Sequence, residues 1–437
     1  MRALVDEPLP QEPAPVDAVL AELVEKVSPG LAGTTSGGYF GYVTGGVLPA
    51  AAIAQAWAAA VDQNPGLWAL GPAASELEHV VLAWIADLLG YPAGGATFTS
   101  GAAGANVVAL AVARHALGRK HGVDVKRQGV RALSEFAVYG SQELHFTDVK
   151  ALWTLGLGSD CLRTVPVDGD YRFDVRALRE AIERDREAGV EPAIVVAHAG
   201  SVNTGASDPL EQLAALRDEH GFWLHVDGAF GAFLRLCERT APQVAGLELA
   251  DSLAVDGHKW LNLPNGTAFA LVRDGALHRE AFAGTAAYLT RASRPGEDMH
   301  ELGVEASRPW RGAAAWAALK QLGRSGVVDL VTRCCDLTRE LAALVEASPR
   351  LELTAPVPSC VVCFRYRPEG WAEGERLDEL NRRIQHEVAD TGDVFATGAS
   401  LASGFSLRAC IVHWRTTEEH VRALVDQAER AGERLSR

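Results

Sequence analysis

Residues 192–231 read PAIVVAHAGSVNTGASDPLEQLAALRDEHGFWLHVDGAFG and divide into an apolar segment, an amphipathic segment and a second apolar segment. The two outer segments are short apolar runs, as in strands that are buried on both faces. The segment between them, 208–221, has leucine and alanine at helical spacing and ends at a glycine. This order predicts a strand–helix–strand unit in which both strands belong to one parallel sheet.

The same alternation extends over about 180 residues around this unit. Helices are predicted at 105–117 and about 148–155, and further strands at 96–101, 135–141, 251–259 and 267–274. Repeated strand–helix alternation predicts a mostly parallel sheet with helices on both faces. Sheets of this kind bind ligands in the crevice at the C-terminal ends of their strands.

The patterns outside this sheet divide the chain into four regions. The first region has three helical patterns, and the third is a helical linker. In the fourth, SLRACIVHW (406–414) is predicted to be a strand and 417–435 the closing helix, with Thr417 as its N-cap. The regions are an N-terminal helical segment (1–90), a large α/β domain (91–310), the linker (311–345) and a small C-terminal α+β domain (346–437).

Composition and charge exclude several classes of protein. Apolar residues make up 48% and charged residues 22% of the 437-residue chain, as in ordinary globular proteins. The net charge of −15 argues against nucleic acid or an anionic membrane as the main partner. There is no apolar run of about 18 residues, and the acidic, proline-rich N-terminus does not resemble a signal peptide. We therefore expect a cytoplasmic protein.

Seven cysteines are scattered along the chain, and an odd, scattered set indicates reduced thiols instead of a disulfide framework. Cys360 and Cys363 form a C-x-x-C, but the surrounding PSCVVCFRY has the composition of a buried strand. Neither a second cysteine pair nor a nearby histidine completes a ligand set. We predict buried structural thiols and no metal site.

Several polar side chains follow the predicted strands directly. Asp227 ends the strand FWLHVD, His258 and Lys259 come just after SLAV, and TSGAAGAN (99–106) leads into a helix whose first N–H groups can bind an anion. The chain has only six lysines against thirty-five arginines, so the lysine in this apolar stretch is notable. Taken singly, these residues also fit a snorkelling lysine, a turn aspartate and an ordinary glycine-rich turn.

Together, the lysine, the aspartate and the anion-binding turn are the groups that pyridoxal phosphate requires. The lysine forms a Schiff base with this cofactor, and the carboxylate keeps the pyridine nitrogen protonated so that the ring accepts electrons. A reacting lysine must be deprotonated part of the time, and burial favours the neutral amine. The sequence therefore indicates a pyridoxal phosphate site at the sheet edge.

WLHVDGAFG, followed by DSLAVDGHKWLN with its lysine 32 residues after the aspartate, resembles the group II pyridoxal-phosphate-dependent amino acid decarboxylases. The resemblance runs from GYFGYVTGG (38–46) to SLRACIVHWRTTEEHV (406–421). It implies fold type I, the aspartate aminotransferase-like α/β fold with a large, mostly parallel sheet domain and a small C-terminal α+β domain. It also implies a homodimer whose active sites lie at the subunit interface, and an amino acid as the small-molecule substrate.

The resemblance assigns roles to individual residues. Lys259 matches the lysine that forms the internal aldimine, Asp227 the partner of the pyridine nitrogen, and His145 in SQELHFT the histidine stacked on the ring. Further positions match the family's cofactor contacts. These are the phosphate-binding amides of Ala102 and Ala103, the phosphate contact His258, and Ser201, Asn203 and Thr204 in the loop beside the ring.

The chain departs from the family pattern in two places. Relatives often carry a polar side chain where this chain has the bare AAG of 102–104, which leaves phosphate binding to the backbone. Many relatives also keep a proton-donating tyrosine in the loop before the linker, whereas no tyrosine lies between Thr290 and Arg311 here. The matching position is near Met299, and loss of this tyrosine is associated in the family with oxidative deamination to an aldehyde. His300 is a candidate proton donor, or else an exposed loop histidine.

The substrate side is predicted from two N-terminal stretches that match the family's substrate wall. They contribute Phe40, Tyr42, Trp68 and Leu70, with no basic side chain among them, which favours an apolar or aromatic amino acid. These residues fit a dimer interface equally well. Two arginines in GVEASRPWRG, Arg308 and Arg311, leave an acidic substrate open.

The resemblance implies decarboxylation of an L-amino acid to an amine and carbon dioxide. Three alternatives stay open at this point: an aldehyde synthase that uses oxygen, a carbon–carbon lyase, and a relative that binds the cofactor without catalysis. The fold alone does not decide among them. The presence of both Lys259 and Asp227 argues against the third.

Overall fold

The computed structural model describes residues 5–284 and 296–437. Its main sheet has seven strands in the order β1-β7-β6-β5-β4-β2-β3, in which β7 is antiparallel to both of its neighbours and the other pairs are parallel. The predicted mostly parallel sheet is thus confirmed. The strands are β1 (Gly95–Thr99), β2 (Phe136–Ser141), β3 (Leu162–Val165), β4 (Glu191–His198), β5 (Trp223–Asp227), β6 (Ser252–Asp256) and β7 (Ala268–Val272).

Helices flank this sheet, and every residue of β6 and β7 is buried, as expected for strands that read as continuous apolar runs. The helices of this part of the chain are α1 (Val16–Val27), α2 (Pro49–Val61), α3 (Pro72–Leu89), α4 (Ala102–Lys120), α5 (Val125–Gln128), α6 (Phe146–Thr154), α7 (Val175–Glu187), α8 (Leu210–His220) and α9 (Gly275–Phe282). Helix α4 packs against β6 and β7.

The strand–helix–strand unit predicted at 192–231 is present as β4, α8 and β5. In the parallel register His198 pairs with Asp227, and Asp227 pairs with Ala254 of β6. The C-terminal ends of three neighbouring strands therefore meet at one edge of the sheet. This edge positions the site described below.

The C-terminal part begins with α10 (Gly312–Ala347), where a helical linker was predicted. Its glycine at 323 has φ 63° and ψ 177°, so the segment is two helices joined at a break. A four-stranded antiparallel sheet follows in the order β10-β11-β9-β8, with the strands β8 (Leu351–Leu353), β9 (Val361–Tyr366), β10 (Thr397–Leu401) and β11 (Gly404–Cys410). The strand predicted at 406–414 ends earlier, at Cys410. Two helices complete this part, α11 (Glu375–Asp390) and α12 (Glu418–Leu435).

All seven cysteines are free, as predicted. Cys363 lies on β9, and burial raises the pKa of its thiol to about 12. Such a thiol is protonated at neutral pH and behaves as a small apolar side chain. Among the helices of the described ranges, none is both long and apolar enough to span a membrane.

Thr417 caps α12 as predicted, in a reciprocal capping box with His420. The backbone N–H of Thr417 donates to His420 Nδ1 at 3.2 Å. We expect Thr417→Ala to lower the free energy of unfolding of the C-terminal part by about 1 kcal/mol, because one N–H of the first turn loses its acceptor. Urea denaturation followed by circular dichroism measures this, with Thr417→Ser as the control that keeps the hydroxyl. Equal midpoints for both variants and the parent would contradict the prediction.

Candidate active site

A cavity of about 270 Å³ opens at the C-terminal ends of β4, β5 and β6, beside the N-termini of α4 and α6. Six residues predicted from the sequence to form the site line it together, although they come from four separate stretches of the chain. They are Ala102, Ala103, His145, Asp227, His258 and Lys259. This agrees with the position expected for a ligand of a parallel sheet.

Lys259 lies in the turn after β6, with its side chain 19% exposed and its Nζ 3.0 Å from Asp256 Oδ2. Asn262 fixes this turn, since its buried amide donates to the carbonyl oxygens of Trp260 (2.8 Å) and Val412 (3.1 Å). Gly45 approaches so closely that a Cβ there would lie 1.9 Å from the Lys259 carbonyl oxygen. The lysine is therefore anchored at its backbone on both sides.

Asp227 ends β5 and is buried. Its Oδ1 accepts a hydrogen bond from the N–H of Ala229 at 2.9 Å, and its Oδ2 accepts one from Asn106 Nδ2 at 2.9 Å. Burial alone would raise the pKa of this carboxyl, but the charges of His198 and Lys259 together with these hydrogen bonds lower it. Asp227 is therefore a carboxylate at neutral pH and can pair with a protonated ring nitrogen.

His145 is the N-cap of α6, and its Nδ1 lies 2.6 Å from the hydroxyl of Thr147 and accepts the Thr147 N–H at 3.3 Å. These bonds fix the ring where it lines the cavity. Burial lowers the pKa of His145, so its imidazole is neutral at neutral pH. A neutral, fixed ring suits stacking on a flat aromatic ligand.

The first turn of α4 forms the anion-binding end of the cavity. The N-cap residue of this helix is Gly101, which has no side chain to accept hydrogen bonds from the N–H groups of the first turn. The N–H groups of a helix's first turn have no partner inside the helix, and Ala103 faces the cavity. The N–H of Ala102, however, already donates to Asp256 Oδ1 at 2.7 Å. His258 lines the same end, and burial lowers its pKa.

Asp256 was missed by the sequence analysis, although it ends β6 in the same way that Asp227 ends β5. Its carboxylate contacts both the anion-binding turn, through Ala102, and the amine of Lys259. The rule that selected Asp227, a carboxylate at a strand end, would have selected Asp256 as well. It therefore belongs to the candidate site.

The loop after β4 contributes different residues from those predicted. Gly200 and Val202 line the cavity. The hydroxyls of Ser201 and Thr204 hydrogen-bond to each other at 3.2 Å. Asn203 donates to a carboxylate outside the cavity, Oε2 of Glu143, at 2.9 Å. The three predicted side chains thus stabilise the loop, and their contact with a cofactor stays a prediction.

The four residues predicted for the substrate wall do not line this cavity in the single chain. Phe40 is fully buried in the core, whereas Tyr42 and Leu70 are 66% and 55% exposed. Trp68 donates its indole N–H to Glu76 at 2.9 Å. The residue of this stretch that reaches the cavity is Val43, an apolar side chain.

His300 lies in a short 3₁₀ turn, Met299–Leu302, away from the cavity. Its backbone N–H donates to the carbonyl of Gly66 at 2.9 Å, and its Nδ1 is 3.3 Å from the same oxygen. The first part of its loop, 285–295, lies outside the described residues. His300 does not line the cavity of this chain. Its role as a proton donor stays a prediction.

The two arginines that left an acidic substrate open are both engaged elsewhere. Arg308 forms a buried bidentate pair with Glu78, with NH1 to Oε1 at 3.0 Å and NH2 to Oε2 at 2.5 Å. Arg311 forms a second bidentate pair with Glu305, at 2.7 and 3.0 Å, and also donates to the Gly266 carbonyl. Neither guanidinium belongs to the lining of the cavity.

The donor set of the cavity fits a phosphorylated pyridine aldehyde. An amine, an ionised carboxylate, a fixed imidazole and a helix N-terminus converge on one space. Each matches one functional group of pyridoxal phosphate: the aldehyde, the ring nitrogen, the ring face and the phosphate. The Asp256 carboxylate is the one group whose charge opposes the phosphate.

The comparisons with known proteins agree with this chemistry. A family model described as "Pyridoxal-dependent decarboxylase conserved domain" matches residues 1–367. The aromatic-L-amino-acid decarboxylase of Bacillus atrophaeus is 29% identical over 388 residues, 88% of this chain and 78% of that protein. The phenylacetaldehyde synthase of Arabidopsis thaliana is 27% identical over 434 residues, 97% of this chain and 87% of that protein. The crystal structure of Oryza sativa TDC with PLP and tryptamine has a TM-score of 0.93 and 26% identity, covering 100% of this chain and 91% of that one.

Proposed function

The chain belongs to the pyridoxal-dependent decarboxylase family, and from that premise we propose that it removes carbon dioxide from an amino acid with an apolar or aromatic side chain. The family, fold type I and pyridoxal phosphate as cofactor were all predicted from the sequence and are confirmed. The observation that carries the proposal is the convergence of Lys259, Asp227 and His145 on one cavity.

Several residues of the cavity would each act on a different part of the cofactor. Lys259 would hold it covalently through Nζ, and Asp256 Oδ2, at 3.0 Å, is placed to accept the proton that this amine must lose. Asp227 would pair with the ring nitrogen, and the first turn of α4 with His258 would hold the phosphate. When bound, pyridoxal phosphate supplies an electron sink for the bond that breaks at the substrate's α-carbon.

An apolar or aromatic substrate is supported by the charges around the cavity. The two arginines that the sequence offered for an acidic substrate, Arg308 and Arg311, are paired with glutamates. From the N-terminal segment, the cavity receives the apolar side chain of Val43. The Bacillus atrophaeus relative is named for aromatic amino acids, which agrees with this interpretation.

We expect kcat/KM for tryptophan, tyrosine or phenylalanine to exceed that for glutamate by on the order of a hundredfold or more, because a buried carboxylate without a cation is strongly disfavoured. Carbon dioxide release from each amino acid by the cofactor-loaded enzyme measures this. A variant that carries both Arg308→Met and Glu78→Gln is the matched control, since it removes this arginine without leaving Glu78 buried as an unpaired charge and should leave the preference unchanged. Faster turnover of glutamate, lost in the control variant, would assign the arginine to the substrate instead.

An aldehyde synthase is the second candidate function. It is favoured by the absence of tyrosine from residues 291–311 and by the likeness to the Arabidopsis synthase. In that reaction the amino acid, oxygen and water give the aldehyde, carbon dioxide, ammonia and hydrogen peroxide. Product stoichiometry separates the two functions. One amine per carbon dioxide without oxygen uptake supports the decarboxylase, and one peroxide and one ammonia per carbon dioxide support the synthase.

We also propose that the chain works as a homodimer in the cytoplasm. Helix α1 has no buried residue in the single chain, and its exposed apolar side chains need a covering surface. These side chains are Val16, Val19, Leu20, Leu23 and Val24. Free buried thiols fit a reducing compartment.

A further inference from the structure

A cluster of buried polar side chains surrounds Asp227, and one of its members, His198, also lines the cavity. A ring nitrogen of His198 and a carboxylate oxygen from each of Asp148 and Asp227 all lie within 4.8 Å of one another, and all three residues are buried. Buried ionisable groups are costly unless they are paired and hydrogen-bonded. The cluster therefore has a purpose beyond filling space.

Asn106 of α4 connects the members of this cluster. Its Nδ2 donates to Asp227 Oδ2 at 2.9 Å and to Asp148 Oδ1 at 2.6 Å. Its Oδ1 lies 3.1 Å from Nε2 of His225, a buried histidine whose pKa burial lowers to about 4. This neutral ring donates from Nε2, which fixes the amide orientation so that both amide protons face the two carboxylates.

His198 supplies the positive charge of the cluster. Its Nε2 is 3.3 Å from Asp148 Oδ2, and its Nδ1 is 3.8 Å from Asp208 Oδ2. Burial alone would lower the pKa of His198, but the hydrogen bond and charge of Asp148, with the charges of Asp208 and Asp227, raise it to about 9. Burial and the charge of Asp227 raise the pKa of Asp148 to about 7. His198 thus lies among three carboxyl groups that favour its protonated form, and its Nε2 also lies 3.3 Å from the backbone nitrogen of His145.

We propose that His198 is a positioning residue which, through Asp148 and Asn106, keeps Asp227 ionised and aimed at the cavity, and so sets how tightly the chain holds the ring nitrogen of its cofactor. This inference rests on the proposed function, because it assigns a pyridine nitrogen to Asp227. It adds a role for residues beyond the cavity lining, since His198 and Asp227 line the cavity whereas Asp148 and Asn106 do not.

The charge balance gives the reason. Three carboxyl groups this close together in the interior do not all ionise without a nearby cation. The other charged or titratable groups that line the cavity are Lys259, paired with Asp256, and two histidines, His145 and His258, whose pKa values are lowered by burial. Once Lys259 is joined covalently to a cofactor through Nζ, it is no longer a free ammonium group that can balance the charge of Asp227. His198 then remains as the cation within 4.8 Å of Asp227.

The matching variant is His198→Gln, which keeps a hydrogen-bonding side chain but removes the charge. It is tested in the full chain after its cofactor has been removed and then titrated back. The two titrants are pyridoxal phosphate and its 1-deaza analogue, in which carbon replaces the ring nitrogen. A role through Asp227 weakens binding of the first compound only, whereas a loss of local structure weakens binding of both.

We expect His198→Gln to raise the Kd for pyridoxal phosphate by about tenfold or more, the equivalent of one pKa unit at Asp227. The Kd for the deaza analogue should change by less than about threefold, within ordinary packing effects. Asp227→Asn is the reference for the largest effect, because it should remove altogether the parent's tighter binding of pyridoxal phosphate than of the deaza analogue. His278→Gln is the control for removing a buried histidine, since its Nε2 bonds to the Leu302 carbonyl outside the cluster.

Two results would overturn the inference. Equal weakening of both compounds by His198→Gln would make His198 a structural residue, and unchanged binding of both would leave it without a role. Failure of the proposed function is distinguishable from either, since the parent chain itself would then bind no pyridoxal phosphate that borohydride fixes to Lys259.

Discussion

A Lys259→Ala chain should release carbon dioxide from amino acids on the order of a thousandfold more slowly than the parent, or not measurably. Removing the covalent catalyst of an enzyme has effects of this size or larger, because the remaining contacts bind the substrate without providing the reaction path. The anchored turn around Lys259 leaves its backbone in place, so the loss should reflect chemistry and not unfolding.

The measurement pairs activity with covalent attachment. Borohydride reduction of the parent should fix the cofactor to the peptide that contains Lys259, whereas the variant should bind it reversibly and lose it on denaturation. Lys320→Ala, at an exposed position of α10, is the matched control and should retain both properties. Attachment to another lysine with activity retained would show that the cavity described here is not the reaction site.

The sequence predicted the parts of the fold that depend on local periodicity. The unit at 192–231 alternates apolar runs with a helical pattern, and it forms β4, α8 and β5 as expected. Lys259 and Asp227 were found because a polar residue directly after a buried strand must face the edge of the sheet. Those positions follow from their immediate neighbours in the chain.

The cluster of buried polar side chains around Asp227 could not be predicted in that way. Asn106 meets residues 42 and 121 positions further along the chain, and Ala102 meets a carboxylate 154 positions away. These contacts exist because α4 crosses over neighbouring strands whose order in the sheet differs from their order in the sequence. A sequence read position by position shows Asp148 as a helix residue and His198 as a strand residue, with no reason to connect them.

Arg308 is a residue that the sequence offered for substrate binding and that a contact distant in sequence removes from the site. Its type and place near the loop suggested a contact for an acidic substrate. The structure pairs it with Glu78 of α3, 230 residues earlier, and leaves the two side chains only 2% and 0% exposed. Glu78 Oε1 also accepts the N–H of Gly312 at 3.2 Å, so the pair joins the N-terminal helices to the start of α10. A residue that looked available for binding is a structural connection.

This pair carries the largest stability effect that we expect. Glu78→Gln should lower the free energy of unfolding by about 3–5 kcal/mol, because it leaves the Arg308 guanidinium buried without a countercharge. The exposed Glu76→Gln on the same helix makes the same chemical change and should cost less than about 0.5 kcal/mol. Denaturant unfolding of the cofactor-free chains, followed by tryptophan fluorescence, compares the two.

A double variant, Glu78→Gln with Arg308→Met, should recover much of the loss, since breaking a buried pair costs more than replacing both partners with neutral groups. If the double variant were as unstable as Glu78→Gln alone, the cost would come from Glu78's bond to Gly312, and the guanidinium would not be the cause.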